Sequence, residues 1–238
     1  MTEPTPSMKT LVEAFEQVGA LDTPLKQRLE ALAYWHRELN PALAEAYDRM
    51  IERLVSVQSG AEAPDVGKPM PAFVLPDHDG NLVSLDQLLE TGPAVISFNR
   101  GHWCTYCKME MHTLAQFETQ LEQLNARTVS IVPDREAFSN KFRETANLPF
   151  TILTDIDCGY ALNLGLVVRL GEEIKALYER HKIELNEYQG NDSWLVPIPA
   201  TFVVDHDKRI KARFVDPNFR RRMEVENILM ALRETSIG

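Results

Sequence analysis

Two of the three cysteines in this 238-residue chain are separated by only two residues, as Cys104 and Cys107. They follow the apolar run 93–98, which is typical of a buried strand, and the residues after Cys104 have helical spacing. The thiols therefore lie where a strand leads into a helix N-terminus, whose free N–H groups and dipole favour an anion. Such a setting lowers a thiol pKa from about 8.5 toward neutrality, and a thiolate attacks disulfides and peroxides. The pattern predicts a redox centre.

A structural zinc site is the main alternative for a C-x-x-C motif. Such a site needs four ligands, usually from a second cysteine pair or two histidines. Cys158 and the nearby His102 and His112 do not supply a second pair at suitable spacing. We therefore expect no metal and no cofactor.

Composition limits the classes of partner and the cellular compartment that we expect for this chain. The formal net charge is −10, which argues against nucleic acid or an anionic membrane surface as the main partner. No apolar run approaches the roughly 20 residues of a membrane span, and residues 1–6 lack the features of a signal peptide. An odd number of cysteines does not suggest a secreted disulfide framework. We expect a cytoplasmic protein.

The first part of the chain, residues 1–65, is predicted to be a helical extension. Apolar stripes indicate helices over residues 8–58, with Thr23 as an N-cap and a break at Asn40-Pro41. The segment 59–64 has loop composition and marks the boundary. Without cysteines or a cluster of ligands, these helices are expected to pack on the main domain or on a second subunit.

Residues 66–238 are predicted to form an α/β domain. A strand at 94–99, a helix at 104–124 and a strand at 128–132 predict a parallel pair with a right-handed crossover. Residues 201–204 and 210–215 flank a turn and are typical of a hairpin. A closing helix is predicted over residues 220–235.

The order of several motifs resembles that of the peroxiredoxins, the alkyl hydroperoxide reductase/thiol-specific antioxidant family. The opening reads Gly67-x-x-Met70-Pro71-x-Phe73-x-Leu75-Pro76-Asp77-x-x-Gly80, and it is followed by Ser84-Leu85, Gly92-Pro93, a strand ending in Phe98, and Thr201-Phe202-Val203-Val204-Asp205. The resemblance covers about residues 66–235. It implies a thioredoxin-like fold, with a central mixed sheet flanked by helices and the helical extension added in front.

This chain departs from the typical family signature at several positions. By resemblance, Cys107 stands at the peroxidatic position, with Glu110 matching an acidic residue just after it. Cys104 then occupies the place of the family's threonine, and Arg100 that of its proline. The family's peroxide-activating arginine is replaced by Pro199. The chain therefore resembles the subgroup with a thioredoxin-style R-G-x-W-C-x-x-C motif.

Other residues near the dithiol have two interpretations each. Arg100 either substitutes for the missing donors or is a surface arginine paired with an acidic side chain. Trp103 is expected to pack beside the motif, and a hydroxyl of Tyr106 could donate to a bound oxygen. Glu110 is expected to be a charge on the helix face rather than a proton carrier.

Pro199 is expected to follow a cis peptide bond, as the thioredoxin arrangement implies, instead of a trans bond at an edge strand. Cys158 is expected to be a semi-buried cysteine in a loop or helix start rather than a third redox partner. The cluster Arg220-Arg221-Arg222 is expected to be a solvated, ion-paired surface.

The resemblance favours a thiol-dependent antioxidant enzyme that reduces hydrogen peroxide or organic hydroperoxides. In that scheme Cys107 becomes a sulfenate, Cys104 condenses with it, and thioredoxin or a similar dithiol resets the pair. The alternative is a thioredoxin-like oxidoreductase acting on protein disulfides, in which Cys104 attacks first. A non-enzymatic redox-sensing adaptor is the third hypothesis, and a homodimer is an expectation by analogy.

Overall fold

The computed structural model describes residues 9–235. The first helices are α1 (Leu11–Gly19), α2 (Leu25–Leu39) and α3 (Pro41–Ser56). The strands are β1 (Val74–Pro76), β2 (Leu82–Ser84), β3 (Ala94–Phe98), β4 (Arg127–Val132), β5 (Thr151–Thr154), β6 (Val167–Arg169), β7 (Leu195–Pro197), β8 (Ala200–Val204) and β9 (Ile210–Val215). The other helices are α4 (Leu85–Leu89), α5 (Thr105–Gln116), α6 (Glu118–Gln123), α7 (Glu136–Thr145), α8 (Gly159–Asn163), α9 (Glu172–Arg180), α10 (Leu185–Gln189) and α11 (Val225–Thr235), with a short 3₁₀ turn at Ile156–Cys158.

The main sheet is mixed and has the strand order β5-β4-β3-β8-β9. Strand β3 runs parallel to β4, and β4 runs parallel to β5, while β8 pairs antiparallel with both β3 and β9. The predicted parallel pair and the predicted hairpin are therefore confirmed. Every residue of the central strand β3 is buried, which explains its continuous apolar run. The chain therefore leaves β3 at Phe98 in the interior of the molecule.

Two predicted helices differ from the observed ones. The helix predicted over 104–124 is divided at Phe117 into α5 and α6. The closing helix begins at Val225, not at 220. Before it, the backbone N–H of Asn218 donates to Asp216 Oδ1 at 2.7 Å, and that of Arg220 donates to Asn218 Oδ1 at 3.2 Å. These local side-chain bonds compete with helix formation and hold 216–224 as a loop.

The N-terminal helices share one apolar core with the helix that carries the cysteines. Leu29 and Leu32 of α2 and Leu43 of α3 belong to the same buried cluster as Cys107 and Met109. No helix within residues 9–235 has the length and apolarity needed to cross a membrane.

The start of α2 is stabilised from a distant part of the chain. The predicted cap at Thr23 is wrong, because Pro24 holds the N-cap position and the Thr23 hydroxyl has no hydrogen-bond partner. Instead, the backbone N–H groups of Leu25 and Lys26 donate to the carboxylate of Glu224 at 3.1 and 2.8 Å. This carboxylate meets the positive end of the helix dipole. The loop 216–224 therefore bonds directly to α2.

Replacing Leu32 by alanine tests whether the N-terminal helices unfold together with the rest of the chain. Because Leu32 is fully buried in the shared cluster, Leu32→Ala should lower the free energy of unfolding by about 2–5 kcal/mol. Urea unfolding followed by circular dichroism and by tryptophan fluorescence should give one coincident transition. The exposed Val12→Ala change is the control, with an effect of about 0.5 kcal/mol or less. Two separate transitions would contradict a shared core.

Candidate active site

The two cysteines lie at the start of α5, directly after the central strand. Cys104 is the N-cap residue, and its carbonyl accepts the first helical hydrogen bond from Lys108 at 2.9 Å. The turn from β3 needs Gly101, whose φ is +130° and where a Cβ would lie 2.6 Å from Asp134 Oδ1. The predicted placement of the thiols at a helix N-terminus is confirmed.

The two sulfurs are in hydrogen-bond contact below the surface. Cys107 Sγ lies 3.0 Å from Cys104 Sγ and donates to it. Cys107 Sγ also accepts from the Arg100 backbone N–H at 3.4 Å and from Arg222 Nη2 at 3.3 Å. Only 3% of Cys104 and none of Cys107 is exposed to solvent.

The surroundings shift the pKa values of the two thiols in opposite directions. Burial works against a charge on Cys104, but the hydrogen bond from Cys107 and the charges of Arg100 and Arg222 outweigh it and lower the pKa of Cys104 to about 6. Burial raises the pKa of Cys107, and the bond it donates to a charged Cys104 raises it further. One proton is thus shared by two sulfurs at neutral pH, with the negative charge on Cys104.

Arg100 is buried, so its interpretation as a surface arginine paired with an acidic side chain is wrong. Its Nη2 donates to the Tyr178 hydroxyl at 2.9 Å, and its Cζ lies 4.1 Å from the centroid of Phe219 and 4.9 Å from that of Trp103. Burial disfavours its charge, but nearby Tyr178, Cys104 and Tyr47 raise the pKa of the guanidinium, which stays positive. Its Nη1 has no hydrogen-bond partner.

Arg222 is a site residue that the sequence analysis assigned to the surface and not to the site. The expectation of a solvated surface is wrong for this member of its cluster, because Arg222 is buried against Cys107. Its Nε donates to Glu110 Oε2 at 2.6 Å. Burial disfavours the charge of Arg222, but Glu110, Cys107 and Cys104 raise its pKa. A buried arginine beside Cys107 is thus supplied by the loop 216–224.

Glu110 is also buried, so its interpretation as a charge on the helix face is wrong. Its Oε1 accepts from the hydroxyls of Ser97 and Thr201, each at 3.1 Å, and Oε2 accepts from Arg222. The carboxylate is satisfied on both oxygens by strands β3 and β8 and by the loop. It holds Arg222 in position beside Cys107.

Trp103, Tyr106 and Pro199 border the dithiol in different ways. Trp103 packs edge-on to Tyr178 at 5.3 Å between ring centroids, and Tyr106 stacks on His36 at 5.7 Å. Burial raises the pKa of Tyr106 to about 12, so its hydroxyl keeps its proton. The expected cis bond at Pro199 is wrong, because no described peptide bond is cis. Only Ile198 and Pro199 separate β7 from β8, and the cis expectation came from the thioredoxin arrangement and not from these residues.

Cys158 lies away from the dithiol. It is buried at the N-cap of α8, and burial together with Asp155 and Asp157 raises its pKa, which fits the expected structural cysteine. His102 Nδ1 is hydrogen-bonded to Asp134 at 2.8 Å. Within residues 9–235, no group of three or more His, Cys, Asp or Glu side chains could hold a metal ion.

A cavity of about 220 Å³ gives access to Cys104. Cys104 is part of its wall, whereas Cys107 is not. The lining includes residues of α1, α2 and α3 as well as of the dithiol segment, namely Leu11, His36, Asn40, Leu43, Tyr47, Arg100, Trp103, Thr105, Tyr106, His181 and Ile183. The N-terminal helices therefore form part of the wall around the reactive sulfur.

A dithiol at a helix N-terminus beside the central strand of a mixed sheet defines a thioredoxin-like oxidoreductase site. Residues 66–213 match the AhpC/TSA family over more than half of the chain, and the chain belongs to this family. The chain is thus a thiol-dependent peroxidase, as the motif resemblance predicted. The helices α1 to α3 lie before the matched region.

Individual relatives agree with this assignment. The putative peroxiredoxin bcp of Coxiella burnetii is 28% identical over 116 residues, which cover 48% of this chain and 76% of that protein. The peroxidoxin BcpB of Mycobacterium tuberculosis superposes with a TM-score of 0.56 at 21% identity, over 71% of this chain and 96% of that one. For a cysteine-to-serine mutant of the peroxiredoxin 6 of Arenicola marina the TM-score is 0.58 at 16% identity, over 73% and 74% of the two chains. The predicted thioredoxin-like fold is confirmed.

Replacing Arg100 by glutamine tests the charge that stabilises the thiolate. In the native protein one thiol should titrate near pH 6, so that Cys104 is mostly thiolate at pH 7. Arg100→Gln removes a nearby positive charge and should raise the pKa of Cys104 from about 6 to about 7–9, so that half or more of the thiol is protonated at pH 7. The ultraviolet absorbance of the thiolate across pH measures this shift. Arg221→Gln, on an exposed arginine paired with Asp216, is the matched control and should change nothing.

Proposed function

We propose that Cys104 is the sulfur that attacks the peroxide and that Cys107 resolves the oxidised product. The family resemblance alone suggests the opposite order, with Cys107 first. What supports Cys104 is a single observation, namely that it carries the thiolate and also lines the cavity. A nucleophile must be both ionised and reachable, and Cys107 is neither in the reduced state.

The first chemical step breaks the peroxide bond. The Cys104 thiolate attacks one peroxide oxygen, an S–O bond forms, the O–O bond breaks, and the other oxygen leaves with the electron pair and takes a proton. The sulfur is thereby oxidised by two electrons to a sulfenic acid. Arg100 lines the same cavity as Cys104, and its positive charge stabilises the negative charge that develops on the leaving oxygen.

The second step closes the disulfide. Once Cys104 is a neutral sulfenic acid, the negative charge that raised the pKa of Cys107 is gone, while Arg222 Nη2 remains at 3.3 Å from Cys107 Sγ. The Cys107 thiol loses its proton and its sulfur attacks the Cys104 sulfur. An S–S bond forms, the S–O bond breaks, and the hydroxyl leaves with that proton as water. The overall reaction converts a dithiol and a hydroperoxide into a disulfide, an alcohol and water.

Burial of the dithiol favours small peroxides over protein disulfides as substrates. A protein disulfide would have to reach Cys104 in line with the attacking sulfur, yet the sulfur meets only a cavity of about 220 Å³ under α1, α2 and α3. A peroxide fits this space without any movement of the helices. The disulfide-exchange function is therefore the second hypothesis, and the redox-sensing adaptor is the third.

The expectations about the reductant and the assembly are proposals by analogy with the family, whereas the cytoplasmic location is a proposal from composition and cysteine number. Thioredoxin or a similar dithiol would reset the disulfide, the protein would act in the cytoplasm, and it would assemble as a homodimer. Many turnovers of peroxide per protein with a thioredoxin system would separate an enzyme from a sensor, which stops after one.

Separate serine variants of the two cysteines test the order of attack. Cys107→Ser should accumulate a sulfenic acid on Cys104 after one equivalent of peroxide, detected by dimedone labelling and mass spectrometry. Cys104→Ser should form no sulfenic acid at neutral pH and lose peroxide turnover. Cys158→Ser is the control and should keep the native rate. A sulfenic acid on Cys107 in Cys104→Ser, but none on Cys104 in Cys107→Ser, would restore the order suggested by family resemblance.

A further inference from the structure

Arg100, a buried cation with an unused hydrogen-bond donor, lines the cavity beside Cys104. Arg100 is only 2% exposed, and aromatic rings and the Tyr178 hydroxyl fix its guanidinium in place. Its Nη1 has no hydrogen-bond partner although it is buried. Buried polar groups are nearly always hydrogen-bonded, and a guanidinium is suited to binding a carboxylate. Nη1 is therefore a donor without a protein acceptor.

No acidic side chain is among the residues that line this cavity. Two carboxylates in the described part of the chain are already paired with other arginines, Asp48 with Arg37 and Arg220, and Glu110 with Arg222. The thiolate of Cys104 offsets part of the Arg100 charge through space, but it does not occupy Nη1. The disulfide removes even this charge.

The rest of the lining suits a small, partly apolar molecule. Leu11, Leu43 and Ile183 supply an aliphatic wall. His36 Nδ1 is a second buried atom without a partner, and burial lowers the pKa of His36 to about 4, so that its ring is neutral at pH 7. A volume of about 220 Å³ lies below the range of about 300–1,000 Å³ that is typical of drug-sized ligands.

We propose that this cavity binds the carboxylate of a small substrate beside Cys104, with Arg100 Nη1 as its hydrogen-bond donor. The inference rests on the proposed function, in which Cys104 attacks the substrate, and it specifies the substrate class as small hydroperoxides that carry a carboxylate. The peroxide step is unchanged, and the carboxylate serves only to anchor the molecule. The added helices α1, α2 and α3, which precede the family match, contribute Leu11, His36 and Leu43 to the wall that limits the size of this molecule.

Two alkylating reagents of nearly equal size measure this preference directly. Iodoacetate carries a carboxylate where iodoacetamide carries a neutral amide, and with both reagents the thiolate forms an S–C bond while iodide leaves. The second-order rates of alkylation at Cys104 are measured by mass spectrometry on the reduced full-length protein and on N-acetylcysteine. The ratio of the iodoacetate rate to the iodoacetamide rate should be about tenfold higher in the protein, as one charge-assisted hydrogen bond provides.

The Arg100→Gln variant should bring this ratio down to that of N-acetylcysteine. Any change in the pKa of Cys104 slows both reagents equally and cancels in the ratio. Arg221→Gln should keep the native ratio, because that guanidinium is exposed and pairs with Asp216. In the native protein, acetate should slow alkylation by iodoacetamide, while acetamide at the same concentration should not.

The outcomes separate this inference from the proposed function. A ratio equal to that of N-acetylcysteine, together with rapid alkylation by iodoacetamide and no protection by acetate, would overturn the carboxylate site and leave Cys104 as a reachable nucleophile. No alkylation of Cys104 by either reagent would overturn both. The acetate experiment uses native protein only, so it decides the question even if Arg100→Gln does not fold.

Discussion

One shared proton between two buried sulfurs is the interaction on which the site depends. A thiolate with 3% exposure is costly, because removal from water disfavours the charged form. The cost is offset by the hydrogen bond that Cys107 Sγ donates to Cys104 Sγ at 3.0 Å and by the charges of Arg100 and Arg222. The same bond keeps Cys107 protonated, so the two cysteines have different roles although they are one helical turn apart. Position in the helix alone does not produce this difference.

Much of the remaining structure serves to hold the two arginines. Arg222 is fixed by Glu110, which strands β3 and β8 support through Ser97 and Thr201. Arg100 is fixed by Tyr178 of α9, whose hydroxyl lies 2.8 Å from that of Tyr47 on α3. The loop 216–224 connects the dithiol with the N-terminal helices, because it carries Arg222 and also supplies Glu224 to the start of α2. The N-terminal helices are thus bonded to the same segment that stabilises the dithiol.

Local features of the site and fold were predictable because they arise from local sequence. Spacing and apolar runs were sufficient to place Cys104 and Cys107 at a strand–helix junction and to identify the β8–β9 hairpin. Contacts between distant segments left no local signal. Arg222 lies 115 positions from Cys107, and Tyr178 lies 78 positions from Arg100.

One clue to the missed partner was present in the sequence. Glu110 follows Cys107 by one helical turn and so shares its inward face, where a carboxylate needs a cation. Nothing along the chain identifies which arginine supplies that charge. The cis expectation at Pro199 failed for a related reason. It transferred a backbone geometry from the thioredoxin arrangement to a chain whose described peptide bonds are all trans.

Burial of the dithiol affects both the ionisation of Cys104 and the later reduction of the disulfide. The helices that keep water away from Cys104 strengthen the attraction between Arg100 and the Cys104 thiolate, since electrostatic interactions strengthen as the local dielectric constant falls. They also require that whatever reduces the Cys104–Cys107 disulfide either fits the cavity or displaces α2 and α3. Displacement breaks the bonds from Leu25 and Lys26 to Glu224 and disturbs the loop that holds Arg222. Opening the site to a protein reductant therefore weakens the support of Arg222, so a low pKa of Cys104 and access for a protein are not available in the same conformation.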